Sequence, residues 1–198
     1  MRARFTSLVC TWVFVSGSIE KMSVESKLKV EIKRDAEVTM RPFMDYFRGF
    51  EKVEAVRKIF GEKTEEVLND LRVEIAGMRA YMGVSDDDGH LLVSAHYLKT
   101  GDLLDIYLDV IHELVHVRQF SEGKELFDSD FRYIERPTEV EAYHVAVEEA
   151  RRLGLNDQRI CAYLRTEWMS EEDFVKLAES MNVRYDCPKP KHKKENHR

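Results

Sequence analysis

The chain has 198 residues, of which 43% are hydrophobic and 34% charged, with a formal net charge of −6. That length suits one well-buried domain rather than two, and the composition excludes fibrous, disulfide-dense and wholly disordered classes. The charge is spread along the chain without a basic face, which speaks against nucleic acid as a partner.

In chain order, Arg2 and Arg4 precede an apolar stretch from Leu8 to Val15, followed by Ser16-Gly17-Ser18. This is the outline of a signal peptide, too short to span a membrane as a helix. An over-extended start with Met22 as initiator is the other explanation, because patterned sequence begins directly after it. Residues 1–21 are set aside as a leader, and residues 22–186 are read as the folded domain. Three cysteines, Cys10, Cys161 and Cys187, form an odd set with no CxxC pair. They argue against a disulfide framework or a cysteine zinc ribbon. Free thiols fit a reducing, cytoplasmic compartment; secretion is the alternative if residues 1–18 are a signal peptide. The run Lys189-Pro190-Lys191-His192-Lys193-Lys194 marks residues 187–198 as a basic tail without fixed structure.

From Val24 to Ile32 apolar and polar residues alternate, the period of a half-buried strand. Phe43, Phe47, Phe50, Val53 and Ile59 then follow at helical spacing, so residues 42–60 are expected to form a helix that Gly61 ends. A short helix is expected over Thr64–Leu71. The run Leu71–Val84, the turn Asp86-Asp87-Asp88-Gly89 and the run His90–Leu98 predict a hairpin, with Gly77 marking a bulge. Asp102–Phe120 is the most apolar segment and predicts a central helix about 28 Å long. Its polar residues Asp105, Asp109, His112, Glu113 and His116 fall along one strip, and Gly123 is its stop. A loop of about fifteen residues leads to Pro137, which opens a helix over Thr138–Leu153 closed by Gly154. Helices over Asp157–Trp168 and Glu171–Met181 complete the domain.

His112 and His116 are four residues apart, so on a helix they differ by only about 40° and face the same way. Two imidazoles one turn apart can hold one tetrahedral Zn²⁺. Glu113, offset by about 100°, stands beside such an ion rather than in its ligand shell. There it can act as the general base toward a water that zinc activates. Burial sharpens the point: two histidines and a glutamate on an otherwise apolar helix are costly unless they meet a partner.

A metzincin would place glycine and histidine where this chain has Gln119 and Glu122. Further on, Pro137-Thr138-Glu139-Val140-Glu141-Ala142-Tyr143 opens the next helix. With His112-Glu113-Leu114-Val115-His116 upstream, this resembles the gluzincin metallopeptidases, the thermolysin-like class, in which HExxH is followed by a helix bearing Glu-x-x-Ala. The resemblance covers about Leu91–Leu153. It implies that Glu139, with 22 residues between it and His116, is the third zinc ligand, with Ala142 letting the two helices approach. Tyr143 stands where the longer pattern has an aspartate, so Asp109 or Glu141 is left as the carboxylate behind a ligand histidine. The strand before the active-site helix is often a sheet edge in such enzymes, which assigns His90–Leu98 to pairing with extended substrate. His96, Tyr133, Tyr143 and His144 are candidates to stabilise an oxyanion.

Two rivals are defined by the same residues. Glu113-x-x-His116 and Glu141-x-x-His144 together have the form of a di-iron carboxylate site, but that architecture needs a further ligand helix between them. Only 24 residues separate His116 from Glu141. A zinc-bound binding module without activity is the other. The expectation is therefore an α+β, zincin-like domain: a small, partly antiparallel sheet packed on the HExxH helix, with helices after it. It would be a peptidase with His112, His116 and Glu139 holding zinc and Glu113 as base. Its partners would be one zinc ion and a peptide or protein substrate, without a membrane.

Overall fold

A computed structural model describes residues 27–34, 37–78 and 80–185. The leader, the tail, Val24, Ser26, Cys10 and Cys187 lie outside the described residues. The strands are β1 (Glu31–Ile32), β2 (Thr39–Pro42), β3 (Phe47–Arg48), β4 (Arg72–Ala76), β5 (Met82–Val84) and β6 (Leu91–Ser94). The helices are α1 (Glu54–Phe60), α2 (Thr64–Asp70), α3 (Ala95–Thr100), α4 (Leu103–Ser121), α5 (Pro137–Arg152), α6 (Asp157–Leu164) and α7 (Glu171–Ser180). The domain is α+β with a small mixed sheet. Among the described residues no helix is long and apolar enough to cross a membrane.

The expected strand over residues 24–32 shrinks to β1, because Lys29 turns the chain at a positive φ of 51°. The single helix expected over residues 42–60 is broken as well. Phe43, Phe47 and Phe50 are fully buried and pack on one another with ring centroids 5.1–6.0 Å apart. Phe43 and Phe50 instead open two 3-10 turns, and Phe47 sits between them on β3, which pairs antiparallel with β1. Helical spacing survives because a 3-10 turn also brings residues three apart onto one side. Gly49 is what prevents the helix: it sits at φ 89°, and a side chain there would lie 2.8 Å from the Lys29 carbonyl oxygen.

The hairpin forms between β5 and β6, with Ser85 and His90 closing the turn. The run before it is not one strand. It breaks at Gly77 into β4 and β5, and β6 inserts between them, parallel to β4 and antiparallel to β5, giving the order β2-β4-β6-β5. β6 is therefore an inner strand, which corrects its assignment as the substrate-pairing edge; β2 and β5 are the edges. Nor does β6 reach Leu98. Ser94 caps a helix instead, its Oγ accepting from the Tyr97 amide, and α3 follows.

α4 begins at Asp102, whose carboxylate accepts from the amides of Leu104 and Asp105. Ile106, Leu108, Val110, Ile111, Leu114 and Val115 are fully buried, each contributing about 1.5–3 kcal/mol of transfer free energy. The helix is thus held between α1, α5 and β5. α5 starts with Pro137 in its first turn and ends before Gly154 at φ 86°. α6 stops at Leu164, so Thr166, Glu167 and Trp168 form a loop rather than a last turn. Cys161, buried on α6, is disulfide-bonded. That overturns the expectation of free thiols and removes the premise for a reducing compartment.

Candidate metal centre

The first turn of α5 meets α4 at residues 112–116. His112 and His116 Nε2 atoms are 3.0 Å apart, and Glu139 Oε2 lies 3.3 Å and 3.5 Å from them. All three residues are buried. An ion with tetrahedral geometry and bonds of about 2.0–2.1 Å places its ligand atoms about 3.3 Å apart. The triangle of donor atoms has that size. Glu139 Oε2 meets the two imidazole Nε2 atoms at ion-pair distance without a well-directed hydrogen bond, and His112 Nδ1 is buried without a partner. Two imidazole nitrogens and a carboxylate oxygen converge on one point, so the residues present fit a metal ion. Among the described residues this is the one group of three such ligands.

The electrostatics bear the mark of a crowded buried site. Burial raises the Glu139 carboxyl, but the two imidazoles outweigh it and hold the group well below the usual carboxylate range. Burial lowers His116, yet Glu139 and Glu113 raise it to about 9. His112, buried beside His116, is pushed down by burial.

Behind the triangle the ligands are held unequally. The Gln119 Oε1 atom is 2.7 Å from His116 Nδ1, and its Nε2 donates to the Thr138 carbonyl (3.0 Å) and to Glu141 Oε2 (2.7 Å). Glu141 also pairs with Arg118 and Lys124. His112 instead rests edge-on against the Tyr143 ring, centroids 4.5 Å apart. Of the two carboxylates expected behind the histidines, Glu141 thus acts only through Gln119, and Asp109 takes the Tyr97 hydroxyl. Sequence reading missed Gln119. Its signal was available, three residues after His116 on the same helix face, but its acceptors belong to another helix.

Glu113 lies on the wall of a cleft of about 1170 Å³, shared with His112, Tyr97, Tyr133, Tyr143 and Trp168. Burial, with Glu139 and Asp109 nearby, pushes its carboxyl up to about 8 against the opposing effect of His116. Of the four oxyanion candidates, His96, Tyr133 and Tyr143 line the cleft, while His144 does not. The Tyr133 and Tyr143 hydroxyls are 3.2 Å apart, and Tyr133 carries Trp168 edge-on at 4.8 Å. His144 is exposed and Glu141 is committed to Gln119, Arg118 and Lys124, so no second metal group forms for the di-iron rival among the described residues. The long loop before α5 reaches the cleft through Tyr133, and the α6–α7 loop through residues 166–168.

Compared with known proteins, the chain matches no family model, no curated protein and no solved structure.

Proposed function

We propose that the protein is a zinc-dependent, zincin-like peptidase in which His112, His116 and Glu139 hold the metal and Glu113 is the general base. The observation that carries this reading is the buried triangle of 3.0, 3.3 and 3.5 Å, one corner of which, His112, lines the same cleft as the Glu113 carboxyl. Two imidazoles and one carboxylate with room for a fourth ligand are the donor set of catalytic zinc sites. Zinc bound there would supply Lewis acidity, polarising a carbonyl and easing loss of a proton from water.

The chain's own groups do the rest. Glu113, one residue from a ligand yet directed to the cleft, accepts the water's proton and hands it to the leaving amine. A carboxyl already raised toward neutrality is matched to both halves of that transfer. The Tyr133 and Tyr143 hydroxyls, whose pKa burial raises further, stay protonated as donors toward an oxyanion in the cleft. The cleft has the room for an extended segment of peptide.

Metal analysis combined with a peptide-library screen of wild type and Glu113→Gln tests the reading. We expect about one zinc per chain in both proteins, with cleavage by wild type alone. Two irons per chain, or cleavage unchanged by the substitution, would overturn it.

A further inference from the structure

Gln119 is fully buried in the contact between α4 and α5. Its two amide hydrogens are both assigned by their surroundings: one goes to the Thr138 carbonyl at 3.0 Å and the other to Glu141 Oε2 at 2.7 Å. Neither acceptor can donate, since one is a backbone carbonyl and the other a carboxylate paired with Arg118 and Lys124. The amide therefore has one orientation, with Oε1 facing His116 Nδ1 at 2.7 Å. An amide oxygen only accepts, so Nδ1 must carry a hydrogen. A neutral His116 with hydrogen on Nδ1 has its lone pair on Nε2, the atom at the corner of the triangle.

The same amide joins the two helices. Thr138 immediately precedes Glu139, so its carbonyl is part of the turn that carries the third ligand. One side chain thus ties the His116 ring on α4 to the segment presenting Glu139 on α5. His112 has no equivalent, because its Nδ1 is without a hydrogen-bond partner.

We propose that Gln119 is a positioning residue that holds the hydrogen on His116 Nδ1, leaving Nε2 as the atom that can ligate, and that ties His116 to the segment carrying Glu139, with Glu141 as its anchor. This rests on the metal-binding part of the proposed function and not on hydrolysis. A partner behind a ligand histidine typically changes metal affinity about 10–100-fold when removed. A glutamine that served only as a helix-to-helix tie would affect stability and leave the His116 tautomer alone.

The experiment uses the full chain as wild type, Gln119→Leu, and the exchanged pair Gln119→Glu with Glu141→Gln. Zinc affinity is read by competition with a chromophoric chelator, and the His116 Nδ1–H by nitrogen-15 NMR, both metal-free and zinc-loaded. Wild type should show a slowly exchanging Nδ1–H in both states. Gln119→Leu should lose that signal and about 10–100-fold in zinc affinity. The exchanged pair restores an acceptor facing His116 Nδ1 and a donor at 141, but it sets a carboxylate oxygen against the Thr138 carbonyl, so it should recover the Nδ1–H signal and only part of the affinity. If Gln119→Leu fails to fold, the exchanged pair decides. A protected Nδ1–H and unchanged affinity in Gln119→Leu would overturn the proposal, as would a His116 hydrogen on Nε2 in the zinc-loaded wild type or an exchanged pair that recovers neither. Wild type that binds no zinc but keeps the protected Nδ1–H would sink the proposed function, together with any role for the amide toward metal, while leaving the tautomer assignment standing.

Discussion

Removing Glu139 should weaken zinc binding far more than removing Glu141, although the two carboxylates sit two residues apart on one helix. Glu139 Oε2 is a corner of the donor triangle, whereas Glu141 touches it only through Gln119. A four-ligand zinc site is worth about 10–16 kcal/mol, or roughly 2.5–4 kcal/mol for each ligand. At about 1.4 kcal/mol per decade, Glu139→Ala should cost roughly 100- to 1000-fold in affinity. The lower end is favoured, because Glu139 is also a charge that keeps a proton on His116, and its loss lessens the competition between proton and metal. Glu141→Ala frees the Gln119 amide without removing it, so about tenfold is expected, the low end of the range for a group behind a ligand. Chelator competition at constant pH, with circular dichroism to confirm folding, measures both. An equal loss in the two variants, or a larger one in Glu141→Ala, would refute the assignment of Glu139 as the ligand.

Two further predictions concern the scaffold. Asp109 is half-buried on the cleft wall, where it accepts from the Tyr97 hydroxyl, and desolvation raises its carboxyl from 3.8 to about 7 despite that hydrogen bond. A raised acid is protonated more readily in the folded state, so folding stability is highest below pH 4 on its account and falls as pH rises through 7. Asp109→Asn keeps an acceptor for Tyr97 and cannot ionise. Its stability relative to wild type should therefore improve by on the order of 2–4 kcal/mol between pH 4 and pH 8, read by urea unfolding of the metal-free proteins; a difference that does not move with pH would show Asp109 to be ionised throughout. Gly49→Ala should cost more than about 2 kcal/mol, since it combines a φ of 89° with a methyl 2.8 Å from the Lys29 carbonyl. Gly123→Ala, at φ 74° and facing open space, should cost only about 1–2 kcal/mol, and equal urea midpoints for the two would remove the packing argument at Gly49.

The parts of this molecule legible in the sequence are those set by local geometry. α4 and its polar strip follow from spacing along one helix, as do the caps at Asp102, Pro137 and Gly154. Glu139 was legible only through a resemblance, because nothing local says that the start of α5 meets α4. The sheet order was not legible at all: β6 lies between β4 and β5, and no local signal distinguishes an inner strand of four residues from an edge. Phe43, Phe47 and Phe50 misled in a different way, since their spacing reports which side is buried and not which backbone buries it. Gln119 lay hidden because its role requires the Thr138 carbonyl and Glu141 carboxylate from another helix.

Charge balance joins the strip to the proposed chemistry. Asp105 is paired with Arg159, and Asp109 holds the Tyr97 hydroxyl. Glu113 and Glu139 are different: both are buried, and no lysine or arginine pairs with either among the described residues. Two uncompensated carboxylates in one buried place are expensive, and the protein without metal meets the cost with protons. His116 is raised to about 9 and Glu113 to about 8, while Glu139 stays ionised and burial keeps His112 low. Near neutral pH the four groups then sum to roughly zero charge. A divalent cation held by His112, His116 and Glu139 would supply the same two positive charges, leaving His116 Nε2 free to ligate and Glu113 free to act as a base. The raised carboxyl of Glu113 and the raised imidazole of His116 point the same way, toward positive charge that no lysine or arginine among the described residues supplies to this place.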